Sequence, residues 1–288
     1  MASTVKSFLA RAVAALENAG VPQPDVDAEL LVAHVLGESR GRVQALEIMD
    51  APLTQAQENE LELLLSRRVR REPLQHITGL ASFRSLELEV GPGVFVPRPE
   101  TEWVTQIALD ALRSRDIPHP LVVDICAGSG AIGLSIASEI PHAIVHGVEK
   151  SPLALEWALK NVERVQAANF TLHEGLARDA LPALNGMVDL VISNPPYVPA
   201  DAIPREPEVR DFDPAMALYG GSDGMDVLRE VSLSARRLCR PGGLLVLEHG
   251  ELQGSIVREI LATDGWVSVE TKQDLTNRDR VTLAANPQ

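Results

Sequence analysis

The tetrapeptide Asn194-Pro195-Pro196-Tyr197 follows an apolar run, Val188, Leu190, Val191 and Ile192, and so stands where a buried strand ends. Its residue types suit chemistry on a conjugated nitrogen. The lone pair of an amide or exocyclic amine is delocalised and a poor nucleophile. A side-chain carbonyl from Asn194 and a main-chain carbonyl from Pro195 can each accept one N–H, which fixes the NH2 group and favours a tetrahedral, nucleophilic nitrogen. The two prolines restrict φ and bring no N–H of their own. Tyr197 can stack on the planar group. The same four residues also read as a plain strand-terminating turn with a packed tyrosine.

A second chemical locus lies upstream. Leu121 to Ile125 reads as a strand that runs into Cys126-Ala127-Gly128-Ser129-Gly130, with a helix from Ala131. Glycines there let a ligand approach the backbone, and the helix start adds free N–H groups. The next strand ends in Glu149, placed to accept hydrogen bonds from both hydroxyls of a ribose. An adenosine-containing cofactor is the expectation. Gly128, Gly130 and Gly133 satisfy a dinucleotide fingerprint. Asp124, before the loop, and the Asn-Pro-Pro-Tyr turn favour S-adenosylmethionine, because a carboxylate can face a cationic cofactor. Asp124 alternatively organises the loop or caps the helix.

These loci need strands and helices to hold them. At 288 residues, one large domain plus a smaller one is expected. Lys and Arg total 26 against 40 acidic residues, a net charge of −14, which argues against general affinity for a nucleic-acid backbone. Cys126 and Cys239 form no disulfide framework, and the seven histidines are scattered, so no metal site is expected and a reducing, cytoplasmic setting is. No apolar stretch reaches membrane-spanning length, and the opening segment reads as a helix rather than a targeting peptide.

Residues 1–80 read as a small helical bundle. Its stripes are Phe8, Leu9, Val13 and Leu16; then Leu30, Leu31, His34 and Val35 after an Asp25 cap; then Leu61, Leu64, Leu65 and Val69 after a Thr54/Gln57 capping box. Arg67, Arg68, Arg70 and Arg71 close the last helix, where cations complement its dipole. Residues 81–99 form a β-hairpin linker, with Leu86, Leu88 and Val90 turning at Gly91-Pro92-Gly93 into Val94, Phe95 and Val96. Residues 100–288 alternate strands with helices, predicting βαβ units and a parallel sheet. The strands expected are 121–125, 143–148, 170–172, 188–193, 243–248, 266–270 and 280–284. The segment from Val198 to Asp223 is long for a plain connection and is expected to border the substrate entrance.

Together, Val123-Asp124 through Gly133, Glu149, Ser193 to Tyr197 and Pro97-Arg98-Pro99-Glu100-Thr101-Glu102 resemble the HemK/PrmC family, methyltransferases that modify glutamine in peptide chain release factors. The similarity runs from about Pro73 to Leu283 and includes Glu208-Val209, Asp213-Pro214, Ala217-Leu218, Gly220-Gly221 and Leu247-Glu248-His249-Gly250. It implies a Rossmann-like S-adenosylmethionine-dependent methyltransferase sheet, and an N-terminal helical domain that recognises substrate. It further implies that Asp124 and Cys126, Ala127, Gly128, Ser129 and Gly130 hold the methionine part of S-adenosyl-L-methionine, and that Glu149 binds its ribose. Asn194, beside the cofactor, and Pro195 would orient the glutamine amide, with Pro196 and Tyr197 shaping its slot. Two departures stand out. Family members commonly carry glycine where Cys126 stands, and Asp followed by an aromatic where this chain reads His173-Glu174-Gly175-Leu176.

The implied reaction is an in-line methyl transfer to the side-chain amide of the Gly-Gly-Gln glutamine, needing no metal and no covalent nucleophile. A monomer without membrane or stable nucleic-acid partners is expected. A nucleic-acid adenine N6-methyltransferase could use the same turn, although a basic surface for a flipped base is not evident. A non-catalytic, cofactor-binding adaptor is the third class.

Overall fold

The computed structural model describes residues 3–288. They divide into two compact units, Met1–Leu80 with Pro204–Phe212, and Ala81–Ile203 with Asp213–Gln288.

The first unit is helical: α1 (Val5–Asn18), α2 (Pro24–Leu36), α3 (Arg40–Ile48), α4 (Gln55–Val69) and α5 (Leu74–Thr78). Capping boxes open α1 at Thr4/Ser7 and α4 at Thr54/Gln57. α2 differs from expectation: it begins at Pro24, and Asp25 sits in its first turn rather than capping it. His34, assigned to the apolar stripe, is exposed; Leu31 and Val32 carry the burial instead. α3, which buries only Val43, and the five-residue α5 were too short of periodic apolar residues to be read in advance. Phe8, Leu16, Leu31 and Leu61 centre the core.

The arginines at the end of α4 serve carboxylates more than the helix dipole. Arg68, 5% exposed, meets Asp27 at 2.6 Å and Glu208 at 2.9 Å. Arg71 forks onto Glu208 at 2.7 and 2.6 Å and donates to the carbonyls of Ala19 and Gly20. Arg67 pairs with Glu72. Glu208 thereby ties the segment Pro204–Phe212 to the helices of its own unit.

The chain continues as a two-stranded ribbon, β1 (Leu80–Phe83) and β2 (Leu86–Glu89), which turns at Arg84-Ser85 and not at Gly91-Pro92-Gly93. Arg84 adopts φ 53°, and its guanidinium is held by Glu139, Gln106 and the Glu102 carbonyl. Val90, Val94 and Val96 do not pair as strands. They pack with Ala154 and Trp157, whose bulk gives them a better partner than a solvent-facing ladder would.

The elements that follow are α6 (Pro99–Arg113), β3 (Leu121–Ile125), α7 (Ala131–Glu139), β4 (Ile144–Glu149), α8 (Pro152–Val165), β5 (Phe170–Glu174), β6 (Val188–Ser193), α9 (Pro207–Phe212), α10 (Ala215–Leu218), α11 (Asp226–Leu238), β7 (Cys239–Glu248), α12 (Gly254–Thr263), β8 (Val267–Gln273) and β9 (Asp279–Ala285). Seven strands form one sheet in the order β5-β4-β3-β6-β7-β9-β8, parallel except for the antiparallel β9. This is the Rossmann-like sheet expected, with every one of its strand cores recovered.

Alternation along the strands explains why both faces are covered. Val122, Leu190, Ile192 and Val246 join Val104, Leu109, Leu134 and Ile136 of α6 and α7 on one face. Val123, Ile125, Val191 and Leu247 join Leu228, Val231, Leu238 and Val257 of α11 and α12 on the other. No helix among the described residues is long and apolar enough to cross a membrane.

Candidate active site

From β3 the chain moves outward to β4 and β5, then returns to the opposite side of β3 as β6. The carboxyl ends of β3 and β6 therefore flank a topological switch point, where open α/β sheets bind ligands. Register brings both chemical loci there: Ile125 pairs with Ser193, so Cys126 and Asn194 are the next residues on neighbouring parallel strands. The Ser193 hydroxyl donates to the Ile125 carbonyl at 2.5 Å and locks that register.

The glycine loop is built from backbone groups. Cys126 and Ala127 N–H both donate to Val148 O, and Gly130 N–H to Ala127 O. Asn161 holds the Ser129 carbonyl at 3.0 Å. Glu149 Oε2 accepts from Gly128 N–H at 2.8 Å, while Oε1 accepts from Lys150 and Ser151 N–H. Glu149 thus fastens the loop to the end of β4, and one acceptor direction on Oε2 remains. Cys126 sits at φ 66°, the left-handed conformation that glycine adopts without cost, so the departure from the family pattern falls on a strained residue. Burial, with Glu149 close by, pushes its thiol up to about 12.

Asp124 is wholly buried. Its Oδ2 accepts from Gly133 N–H at 2.9 Å, a loop-organising bond to the first turn of α7. Its Oδ1 has no partner. Burial raises the carboxyl to about 8, with Glu149 adding to the shift. An unpartnered buried acceptor beside a loop in which Gly128 faces open space is a site that lacks a positive group. S-adenosylmethionine, cationic at sulfur and at its amino group, fits that deficit.

After β5, where the family's adenine-side residues would fall, His173 bonds His146 at 3.0 Å and Gly175 N–H donates to the Glu149 carbonyl at 2.9 Å. Burial lowers the pKa of both histidines, so the pair is neutral at pH 7.

The Asn-Pro-Pro-Tyr turn is braced from behind. Asn194 Nδ2 donates to Thr101 Oγ1 at 3.1 Å. Asn194 Oδ1 accepts nothing and is not sealed from solvent. Pro195 O accepts no hydrogen bond among the described residues. Beyond it, Tyr197 O takes Gln253 Nε2 at 2.8 Å, and the Tyr197 hydroxyl lies 3.4 Å from Glu248 Oε1. The two carbonyls singled out in the sequence thus both keep acceptor capacity, whereas Tyr197 O is already used. Thr101, Gln253 and Glu248 were given no role in the sequence reading, since nothing local links positions so far apart. Among the described residues no cluster of three or more metal-ligating side chains occurs.

Residues 7–79 match the PrmC N-terminal domain model, and residues 85–205 the methyltransferase small domain model. A release factor glutamine methyltransferase of Streptomyces coelicolor is 46% identical over 96% of each chain. Another, of Bifidobacterium longum, is 44% identical over 98% of this chain and 99% of that one. A 4-amino-L-phenylalanine/4-methylamino-L-phenylalanine methyltransferase of Streptomyces pristinaespiralis is 36% identical over 99% of this chain and 96% of that one. On sequence, on domain content and on the sheet that carries its glycine loop, this chain belongs to the release factor glutamine methyltransferase family.

Proposed function

We propose that this protein methylates the side-chain amide nitrogen of the Gly-Gly-Gln glutamine in peptide chain release factors, in the cytoplasm, with S-adenosyl-L-methionine as donor. The observation that carries it is the pair of uncommitted acceptors, Asn194 Oδ1 and Pro195 O, at the switch point beside the glycine loop. Each takes one N–H of the carboxamide and turns the nitrogen lone pair out of conjugation. Pro196 and Tyr197 wall the slot.

When bound, the cofactor supplies an electrophilic methyl on a good leaving group, so the residues need only align and desolvate. Asp124 and the loop from Cys126 to Gly130 would hold its methionine part, through Ser129 N–H, the loop N–H with no intramolecular acceptor among the described residues, and the buried carboxylate's field. Glu149 would take a ribose hydroxyl on the free direction of Oε2. The domain division we assign is 1–80 for substrate recognition, 81–99 as linker and 100–288 for methyl transfer, acting as a monomer without nucleic acid. The segment from Val198 to Asp223 borders the substrate entrance, passing part of its length, Pro204–Phe212, through the helical unit.

The relative that methylates 4-amino-L-phenylalanine supports a second reading, since the same acceptors suit an aryl amine. The test is mass spectrometry after incubation with labelled cofactor and, in separate arms, a release factor, 4-amino-L-phenylalanine and duplex DNA. One added methyl on the Gly-Gly-Gln glutamine is expected, and transfer to either of the other substrates alone overturns the reading. Asn194→Ala should lower turnover by about 10²- to 10³-fold with cofactor affinity unchanged.

A further inference from the structure

Two successive prolines leave the Asn-Pro-Pro-Tyr turn with little that other groups can hold, because neither ring nitrogen carries a proton. Ser193 fixes the entry to the turn, through strand register and its bond to Ile125 O. Past the prolines, the first main-chain group to make a hydrogen bond among the described residues is Tyr197 O. Its donor is a side chain, Gln253 Nε2, at 2.8 Å.

Gln253 is half-buried between the end of β7 and the start of α12. Its backbone N–H donates to Gly250 O at 2.9 Å, and Gly250 N–H donates back to Oε1 at 2.8 Å. The side-chain oxygen is thus spent on its own loop, which leaves Nε2 for Tyr197. The amide has one workable orientation: reversed, it would set NH2 against an N–H and oxygen against a carbonyl. Glycines keep its path clear on both sides. A Cβ at Gly250 would lie 2.9 Å from Oε1, and one at Gly224 would lie 3.0 Å from Nε2 and 2.2 Å from Tyr197 O.

We infer that Gln253 is a positioning residue for methyl transfer: by holding Tyr197 O it fixes the downstream end of the turn and keeps Pro195 O aimed at the substrate amide, a role that rests on the glutamine methylation proposed above. The rings of Pro195 and Pro196 restrict φ, and the chain is held before them at Ser193 and after them at Tyr197. The peptide plane that carries Pro195 O therefore has little freedom to rotate. Released at Tyr197, the same carbonyl swings while strand register stays in place, so alignment is lost and the sheet is kept.

Gln253→Glu separates this role from packing. The substituted carboxyl keeps an acceptor for Gly250 N–H. Ionised, it sets an oxygen against Tyr197 O; protonated, its O–H donates there as Nε2 does. Turnover relative to wild type is therefore highest at low pH and falls as pH rises. The charged and titratable groups nearby are common to both proteins, so their effects cancel in that ratio. They are Glu248, whose carboxyl burial pushes up to about 7, and His249, whose pKa burial lowers and whose Nδ1 bonds Gly250 O. Glu251 pairs with Arg278 at 3.3 Å and Asp223 with Arg229 at 2.7 Å, while Asp279 and Arg258 lie beside Gly254.

The test measures kcat, KM and cofactor affinity for the full chain and for Gln253→Leu and Gln253→Glu, from about pH 5 to about pH 9, with a release factor and labelled S-adenosylmethionine. Gln253→Leu should lower kcat by about 10- to 100-fold, more than it raises KM, with calorimetric cofactor affinity unchanged. Gln253→Glu should fall about tenfold further below wild type at the alkaline end than at the acid end, while its cofactor affinity relative to wild type stays level. Wild-type kcat in Gln253→Leu, or a Gln253→Glu ratio that does not vary with pH, overturns the positioning role alone; should Gln253→Leu fail to fold, the Gln253→Glu ratio decides. A wild-type enzyme that leaves the glutamine unmethylated overturns the reading beneath it, and the inference with it.

Discussion

Gly220 touches neither cofactor nor substrate in the scheme above, yet its substitution should disable the site. Its N–H donates to Val198 O at 2.9 Å, and Val198 N–H donates to Leu218 O, so the returning chain runs hard against the Asn-Pro-Pro-Tyr turn. A Cβ at Gly220 would lie 2.4 Å from Pro196 O and 2.5 Å from Gly224 O. Ordinary contact begins near 3.4 Å, so Gly220→Ala needs about 1 Å of movement from backbone on both sides. Pro196 O is one peptide from Pro195 O, the carbonyl proposed to grip the amide, and a displacement of that size in a reacting geometry costs about 100-fold in rate. Overpacking of this kind costs about 1 to 3 kcal/mol, a few degrees in melting temperature. The assay is single-turnover methyl transfer with saturating cofactor, beside calorimetric cofactor affinity and a thermal melt. Gly41→Ala, a helical position with nothing within 4 Å, is the control and should leave turnover unchanged. A folded Gly220→Ala protein that turns over at the wild-type rate would refute the claim that this contact sets the turn.

Cys126→Gly should relieve the left-handed strain at φ 66° and raise stability by up to about 1 kcal/mol, with cofactor binding intact; a lowered melting temperature counts against it. Asp124 titrates near 8 when folded and near 3.8 otherwise, so between those values the folded chain holds a proton the unfolded chain has released. Apoprotein stability should fall as pH rises from about 4 to 8, and Asp124→Asn should flatten that slope, read by denaturant titration at each pH. A cationic cofactor should draw this proton off, giving a binding enthalpy at pH 7 that changes with the ionisation enthalpy of the buffer; identical enthalpies in all buffers would remove Asp124 from the cofactor site. Glu208→Ala strips Arg68 and Arg71 of a shared carboxylate and should open residues 204–212 to limited proteolysis while the sheet unit stays resistant.

Local signals made much of this legible in advance. The strand cores could be read because β3 and β6 are mainly apolar, interrupted only by Asp124 in β3 and by Asp189 and Ser193 in β6, as befits strands buried on both faces. The Thr54/Gln57 box marked the start of α4 because capping acts within one turn. The ribbon was misread because Gly91-Pro92-Gly93 is the stronger turn signal. Arg84 turns the chain earlier through partners as distant as Glu139, which no window of a few residues contains.

The amino-acid sequence by itself determined the fold class, the glycine loop and the position of the turn proposed to hold the substrate amide, since periodicity, glycine and proline act through neighbouring residues. Tertiary structure alone decided that Cys126, Asn194 and Glu248 end side by side, that the Asn194 amide donates to Thr101, and that Arg71 closes on Glu208, 137 positions away. Those pairings follow from strand register and from satisfying each buried polar group with whatever partner the whole fold brings within reach, and that accounting is global.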